Sequence, residues 1–239
     1  MLPNPFLTKG FTIRMTTSSD VLPKNEDVTL ACAFIDDPVK RADVLALYAF
    51  LETLREIPDR VKEPLMGEIR LRWWYEAIEE IEQGLSVRYH PLTDALKRLI
   101  ATYTLDTKMF LALIEGQMPL LDKGPLTTEA AMKVADAGEG NLMRLAARIV
   151  EPQGQAELAA PARLYGMAQL KARRGLSDGG EAELGHLRRD ARAALKKLST
   201  RRMAIALPAA LATGLWLGHS PGPLAKRLKL VTSFLTGGI

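Results

Sequence analysis

The sequence predicts an all-α fold, and three observations carry that prediction. Apolar residues recur at the helical period of about 3.6 along nearly the whole chain. Alternating β-branched runs, the mark of half-buried strands, do not occur. Short turns rich in Pro, Gly and Asp separate the periodic segments, as in a compact helical bundle. With 239 residues, 47% of them hydrophobic, the chain can bury one substantial core.

Residues 26–34 read as the first helix. Asp36-Asp37-Pro38 then makes a turn and N-cap for a second helix over 39–54. That helix is apolar on nearly every side, at Val44, Leu45, Leu47, Tyr48, Phe50, Leu51 and Leu54, so it is expected to be buried on most sides. Pro58 is expected to end it. The third helix covers about 63–83. Leu65, Ile69, Trp73, Ala77 and Ile81 form one i+4 row, with Met66, Trp74 and Ile78 beside it. Arg72 and Glu76 sit on the wetter side and can pair. Of Trp73 and Trp74, one indole is expected in the core and the other near the surface.

Gly84 is the expected C-cap of this helix. A fourth helix follows His90-Pro91 over 92–102, and a fifth covers 107–121. Thr127-Thr128-Glu129 opens a long helix to about 150 that carries Gly138 and Gly140 in its middle. Glycine there costs about 1 kcal/mol relative to alanine, and close approach of a helix or a ligand is the usual compensation. Glu151-Pro152-Gln153-Gly154 breaks the chain. Further helices cover about 156–174, 182–199 and 202–217, with a short last one after Pro223. The apolar stretch 203–217 contains Pro208 and Gly214 and is shorter than the roughly 20 residues a membrane span needs. It reads as a buried core helix, and no transmembrane helix is expected. Residues 1–22 read as a flexible tail and 23–239 as one helical domain.

Composition removes several classes of function. Lys+Arg 32 against Asp+Glu 28 leaves a net charge of +4 and a pI near 9.2, mildly basic and no argument for nucleic acid. Aromatics are 6%, too few for a single-strand stacking platform. Cys32 is the single cysteine, so no intrachain disulfide forms, which fits a cytoplasmic setting. With His90, His186 and His219 widely scattered, no zinc site is expected. Residues 1–20 lack the continuous apolar core of a secretory signal. No nucleophile elbow or P-loop is present.

Four segments carry a family resemblance. They are Lys40-Arg41-Ala42-Asp43-Val44-Leu45-Ala46-Leu47-Tyr48-Ala49-Phe50, Gly67-Glu68-Ile69-Arg70-Leu71-Arg72-Trp73-Trp74, Ala135-Asp136-Ala137-Gly138-Glu139-Gly140-Asn141-Leu142 and Gly166-Met167-Ala168-Gln169-Leu170. In order and spacing they resemble the squalene/phytoene synthase family of head-to-head prenyltransferases. The resemblance implies a single-domain, isoprenoid-synthase-like bundle around a central cavity. Tyr48, Gly138, Asn141 and Gln169 would line that cavity and meet a lipid or isoprenoid.

The family's metal chemistry is where the chain departs. Members hold Mg²⁺ against a diphosphate with two acidic helical segments, since hard cations want oxygen ligands. The first segment aligns here with Arg55, Glu56, Ile57, Pro58 and Asp59. Arginine cannot ligate Mg²⁺ and adds a fixed positive charge. Glu52, Glu56 and Asp59 remain as metal candidates, and Glu56 and Asp59 as the catalytic ones. The second segment reads Lys171-Ala172-Arg173-Arg174-Gly175-Leu176-Ser177-Asp178-Gly179-Gly180, basic rather than acidic. The Gly-Glu-Ile-Arg-Leu-Arg-Trp-Trp run is similar to the branch of non-catalytic members that includes the mitochondrial complex I assembly factor.

Two main readings follow, beside a third in which the protein is a helical scaffold whose cavity holds no ligand. In the first the protein is non-catalytic, needs no cofactor, and serves as an assembly or interaction factor peripheral to an inner-membrane surface. Arg188, Arg192 and Lys196 share one i+4 row and would face an anionic membrane or an acidic protein partner. In the second it is a Mg²⁺-dependent prenyltransferase acting on farnesyl or geranylgeranyl diphosphate through Glu56 and Asp59.

Overall fold

The computed structural model describes residues 21–152, 158–219 and 221–239. The expected tail over 1–22 therefore lies, apart from Val21 and Leu22, outside the described residues. Every described element is helical, and the one β contact is an isolated bridge between Leu126 and Leu176.

Several helices begin where a polar side chain satisfies free backbone N–H groups. Asn25 caps α1 (Glu26–Cys32). Asp37 accepts from Val39 and Lys40 at the start of α2 (Pro38–Arg60). α3 (Pro64–Glu82) closes at Gly84, whose φ of +68° suits a residue without Cβ. α4 (Pro91–Tyr103) and α5 (Thr107–Glu115) follow, capped by His90 and Asp106. α6 (Thr128–Ala135) runs through a π turn (Asp136–Gly140) into α7 (Asn141–Val150). The second half comprises α8 (Ala159–Arg174), α9 (Glu181–Leu195), α10 (Thr200–Ala206), α11 (Ala212–Trp216) and α12 (Pro223–Thr236).

α2 is the central rod. Its residues from Asp43 through Leu51 are all buried, as its apolar surface required, and it packs on α1, α3, α4 and α7. Phe50 meets Trp74 edge to face, with ring centroids 5.4 Å apart. α8 packs against α6, the π turn, α9 and α11. The single thiol, Cys32, is buried, and burial pushes its pKa up to about 12.

Five expectations need correction. Pro58 does not end α2, which continues to Arg60. Proline here sits in the last turn, where the one ladder hydrogen bond it removes costs least, and its own carbonyl accepts from Lys123 Nζ. The helix expected over 107–121 stops at Glu115, and Met118–Leu121 forms a 3₁₀ turn with Pro119 inside it. The helix expected over 202–217 is likewise divided by a 3₁₀ turn, Leu207–Leu211, at Pro208. The helix expected over 182–199 ends at Leu195, placing Lys196 at its C-cap. The last helix, expected to be short, runs 14 residues.

The apolar row on α3 divides. Ala77 and Ile81 are buried, as are Trp74 and Ile78, but Leu65, Met66 and Ile69 are exposed. Trp74 is the core indole and Trp73 the partly exposed one. Trp73 lines a groove of about 600 Å³ with Leu65, Ile69 and Met118. The Arg72–Glu76 pair forms as expected, at 3.1 Å.

The α4 cap yields a pH prediction. His90 Nδ1 accepts from the Leu92 N–H at 3.1 Å, and its ring lies edge-on to Trp74 with centroids 5.0 Å apart. Partial burial lowers its pKa below the ordinary 6.5, against an opposing pull from Asp94. The unfolded chain therefore takes up this proton first as the pH falls. Stability from this group is complete above pH 6.5 and is lost as the pH falls through the lowered folded value. A protonated Nδ1 also cannot accept, so the cap, about 1 kcal/mol, goes with it. We expect His90→Asn to keep the cap and flatten the fall in melting temperature between pH 7 and pH 5. Equal acid sensitivity in both proteins would rule this out.

Candidate functional site

The face of α2 turned toward α8 carries Tyr48, Glu52, Arg55 and Asp59, at helical spacings of four, three and four. Arg55 Nη1 donates to Gln169 Oε1 at 2.7 Å, and Arg55 Nη2 pairs with Glu139. The Arg55 and Glu139 side chains are 13% and 1% exposed, so this is an interior ion pair. It joins three elements at once: α2, the π turn and α8.

Two tyrosines stand beneath it. Tyr48 is buried, its hydroxyl has no protein partner, and burial holds its pKa well above the ordinary phenol range. Tyr165 is equally buried, its pKa also raised by burial and then by the Glu139 charge, and its hydroxyl accepts from Asn25 Nδ2 at 3.3 Å. Glu139 Oε2 is a second buried oxygen without a protein partner. Both tyrosines stay neutral at physiological pH, which makes them hydrogen-bond donors rather than bases.

The space expected to be a cavity is thus crossed by an arginine. Gly138 is buried in the π turn, and a Cβ placed on it would lie 3.7 Å from Arg55 Nη2. That is an ordinary van der Waals distance, so Gly138 adjoins the guanidinium without being required by it. Tyr48, Gly138 and Gln169 do converge on this one point. Asn141 does not share its hydrogen bonds: its side chain donates to the Ala137 carbonyl and accepts from Arg144. Glu139 is the residue that the sequence reading passed over. A lone carboxylate between two glycines in an apolar helix was the available signal, matched by an arginine at an acidic position.

The remaining acids of the first segment are taken up separately. Glu52 accepts from the main-chain N–H groups of Lys24 and Asn25, at 2.6 and 3.0 Å. Glu56 pairs with Lys24 and with Arg60. Asp59 pairs with Arg173 and lies 3.7 Å from Arg174. Arg174 also donates to the Leu120 and Asp122 carbonyls. Lys171 donates to the Trp216 carbonyl. Asp178, from the second segment, accepts from Thr128 N–H and Oγ at the start of α6, and the Thr128 hydroxyl holds its pKa below the usual value. Three acids on α2 therefore hold three different contacts, and the facing helix offers cations. No group of three or more His, Cys, Asp or Glu that could hold a metal occurs among the described residues. The donor set does not fit a pair of Mg²⁺ sites.

With that geometry in view, the pattern of the squalene/phytoene synthase family matches residues 23–173, well over half of the chain. The chain belongs to the squalene/phytoene synthase family. Its fold is that of solved members. A dehydrosqualene synthase superposes with a TM-score of 0.67 at 14% identity, covering 92% of this chain and 94% of that one. The squalene synthase HpnC of Alicyclobacillus acidocaldarius superposes with a TM-score of 0.55 at 19% identity, covering 94% and 92%. No curated protein matches. At these identities the superpositions establish the isoprenoid-synthase fold in a single helical domain and leave the chemistry to the residues themselves.

The long basic run read from the sequence also divides here. Lys171, Arg173 and Arg174 are turned inward to carbonyls and Asp59. On α9 Arg192 is exposed and Arg188 half-buried, and both donate to the main-chain oxygen of Ile239, at 2.7 and 3.5 Å, while Lys196 is exposed.

Proposed function

We propose that this chain is a non-catalytic member of the squalene/phytoene synthase family, acting as an assembly or interaction factor at a membrane surface. The observation that carries the reading is the Arg55–Glu139 pair, held by Gln169, in the middle of the fold. A diphosphate leaving group needs its developing charge neutralised by positioned metal ions. At the aligned position this chain places a cation, and Glu56 and Asp59 already neutralise cations of their own. The resemblance of the α3 segment to the complex I assembly branch makes respiratory complex I the first assembly to examine. No described helix is long and apolar enough to cross a membrane, so the association proposed is peripheral.

The test is incubation of the folded protein with labelled farnesyl and geranylgeranyl diphosphate plus Mg²⁺, scoring pyrophosphate and prenyl products. The expected result is no release above a metal-free control. Turnover that falls with Glu56→Ala and Asp59→Ala would replace this reading with the prenyltransferase one.

A further inference from the structure

α12 is apolar on two faces. Its inner face is anchored by buried Leu230 and Ser233, by Phe234 against Phe34 with centroids 4.9 Å apart, and by an ion pair from Lys226 to Asp27 at 2.6 Å. Its outer face carries Leu224, Leu228, Val231 and Leu235, exposed by 81, 68, 42 and 76%. Their spacings of four, three and four place them in one stripe along the helix. A helix that has already buried one apolar face gains nothing from a second unless something else covers it.

Charge identifies what covers it. α12 carries no Asp or Glu, and of its three cations Lys226 is paired with Asp27, Lys229 is half-buried and Arg227 is exposed. Just past its C-terminus the chain turns at Gly237 and Ile239 docks on Arg188 and Arg192 of α9. Those arginines, with Arg189 and Gly185, line a depression of about 200 Å³. Arg188 also lies near enough to Lys229 to add to the lowering of its pKa, after burial. Ile239 and the proximity of Arg188 to Lys229 thus place the basic depression beside the C-terminal half of α12. A second copy of the chain would bring these cations against each other, so a zipper through the stripe is disfavoured. A surface with an apolar interior and anionic headgroups satisfies both features.

We infer that the outer face of α12, with the adjoining arginines of α9, is the surface by which the protein lies on an anionic lipid bilayer. Leucines enter the acyl boundary and the arginines meet lipid phosphate. The inference deepens the membrane half of the proposed function and is independent of whether the protein turns over a prenyl diphosphate.

The test is vesicle flotation with the full chain, on phosphatidylcholine alone and on phosphatidylcholine mixed equally with phosphatidylglycerol. Binding is expected only to the anionic vesicles, weakening as salt rises. Leu228→Glu is expected to lower the partition by about tenfold. Both Leu228 and Arg189 are solvent-exposed, so their variants keep the fold, checked by helicity and melting. Arg189→Glu should weaken binding and flatten its salt dependence. Binding to neither vesicle, equal binding to both, or variants that bind like the parent would overturn the inference. So would a dimer in sedimentation that Leu228→Glu dissociates, which would assign the stripe to a second copy.

Discussion

Replacing Arg55 by methionine is expected to destabilise the protein by about 3–5 kcal/mol, because it leaves the Glu139 carboxylate charged and buried without its partner. For a chain of this size that corresponds to a melting temperature lower by roughly 6–20 °C. The paired variant Arg55→Met with Glu139→Leu should recover most of the loss, since neither charge remains to be desolvated. The comparison separates two roles for Arg55. A structural tie shows a large single effect and recovery in the pair. An arginine kept for an anionic ligand would instead leave stability nearly unchanged and the pair no better than the single variant. Denaturant titration of the three proteins decides between them.

Gly166→Ala should be the next largest effect. α8 crosses α6 and the π turn at this residue, and a Cβ there would lie 2.8 Å from Ala135 Cβ and 2.9 Å from Glu139 Oε2. Ala135 Cα, a backbone atom, would be 3.2 Å away, so the helix itself has to move. Overpacking of this kind costs about 1–3 kcal/mol. The displacement also pushes Glu139 off its pair with Arg55, so the variant should be less than additive with Arg55→Met. Full additivity in denaturant titrations would show that the contact at Gly166 and the ion pair are independent.

Local chemistry was the legible part of this fold. Asp37 before Pro38, Gly84 after α3 and His90 before Pro91 each announce a helix end, and the structure uses all three. The continuous apolar surface of the 39–54 segment placed it correctly in the core. Periodicity was less informative for α3. A stripe shows which residues share a face but not how far the covering elements extend, and Leu65 and Ile69 lie beyond them. Pro58 misled because a helix-breaking residue costs little in a last turn. The site was legible in half. Arg55 at an acidic position is visible from the sequence, but its partners lie 84 and 114 residues away. Nothing local connects them. Glu139, flanked by glycines, draws attention to the glycines and not to itself.

The π turn at Asp136–Gly140 has a geometric consequence for the two helices it joins. An ordinary helix keeps one azimuth per residue, so a single apolar stripe would have to serve both ends of the 128–150 segment. Widening one turn inserts a residue, so everything after it lags by about 100° its place on an uninterrupted helix. α6 presents its face to α8, while α7 presents its own to α2 and α5. The segment thus works as a phase shifter between the two halves of the bundle. Glu139 sits inside the shift, at the stretch of this helix that meets both halves, α8 on one side and Arg55 of α2 on the other.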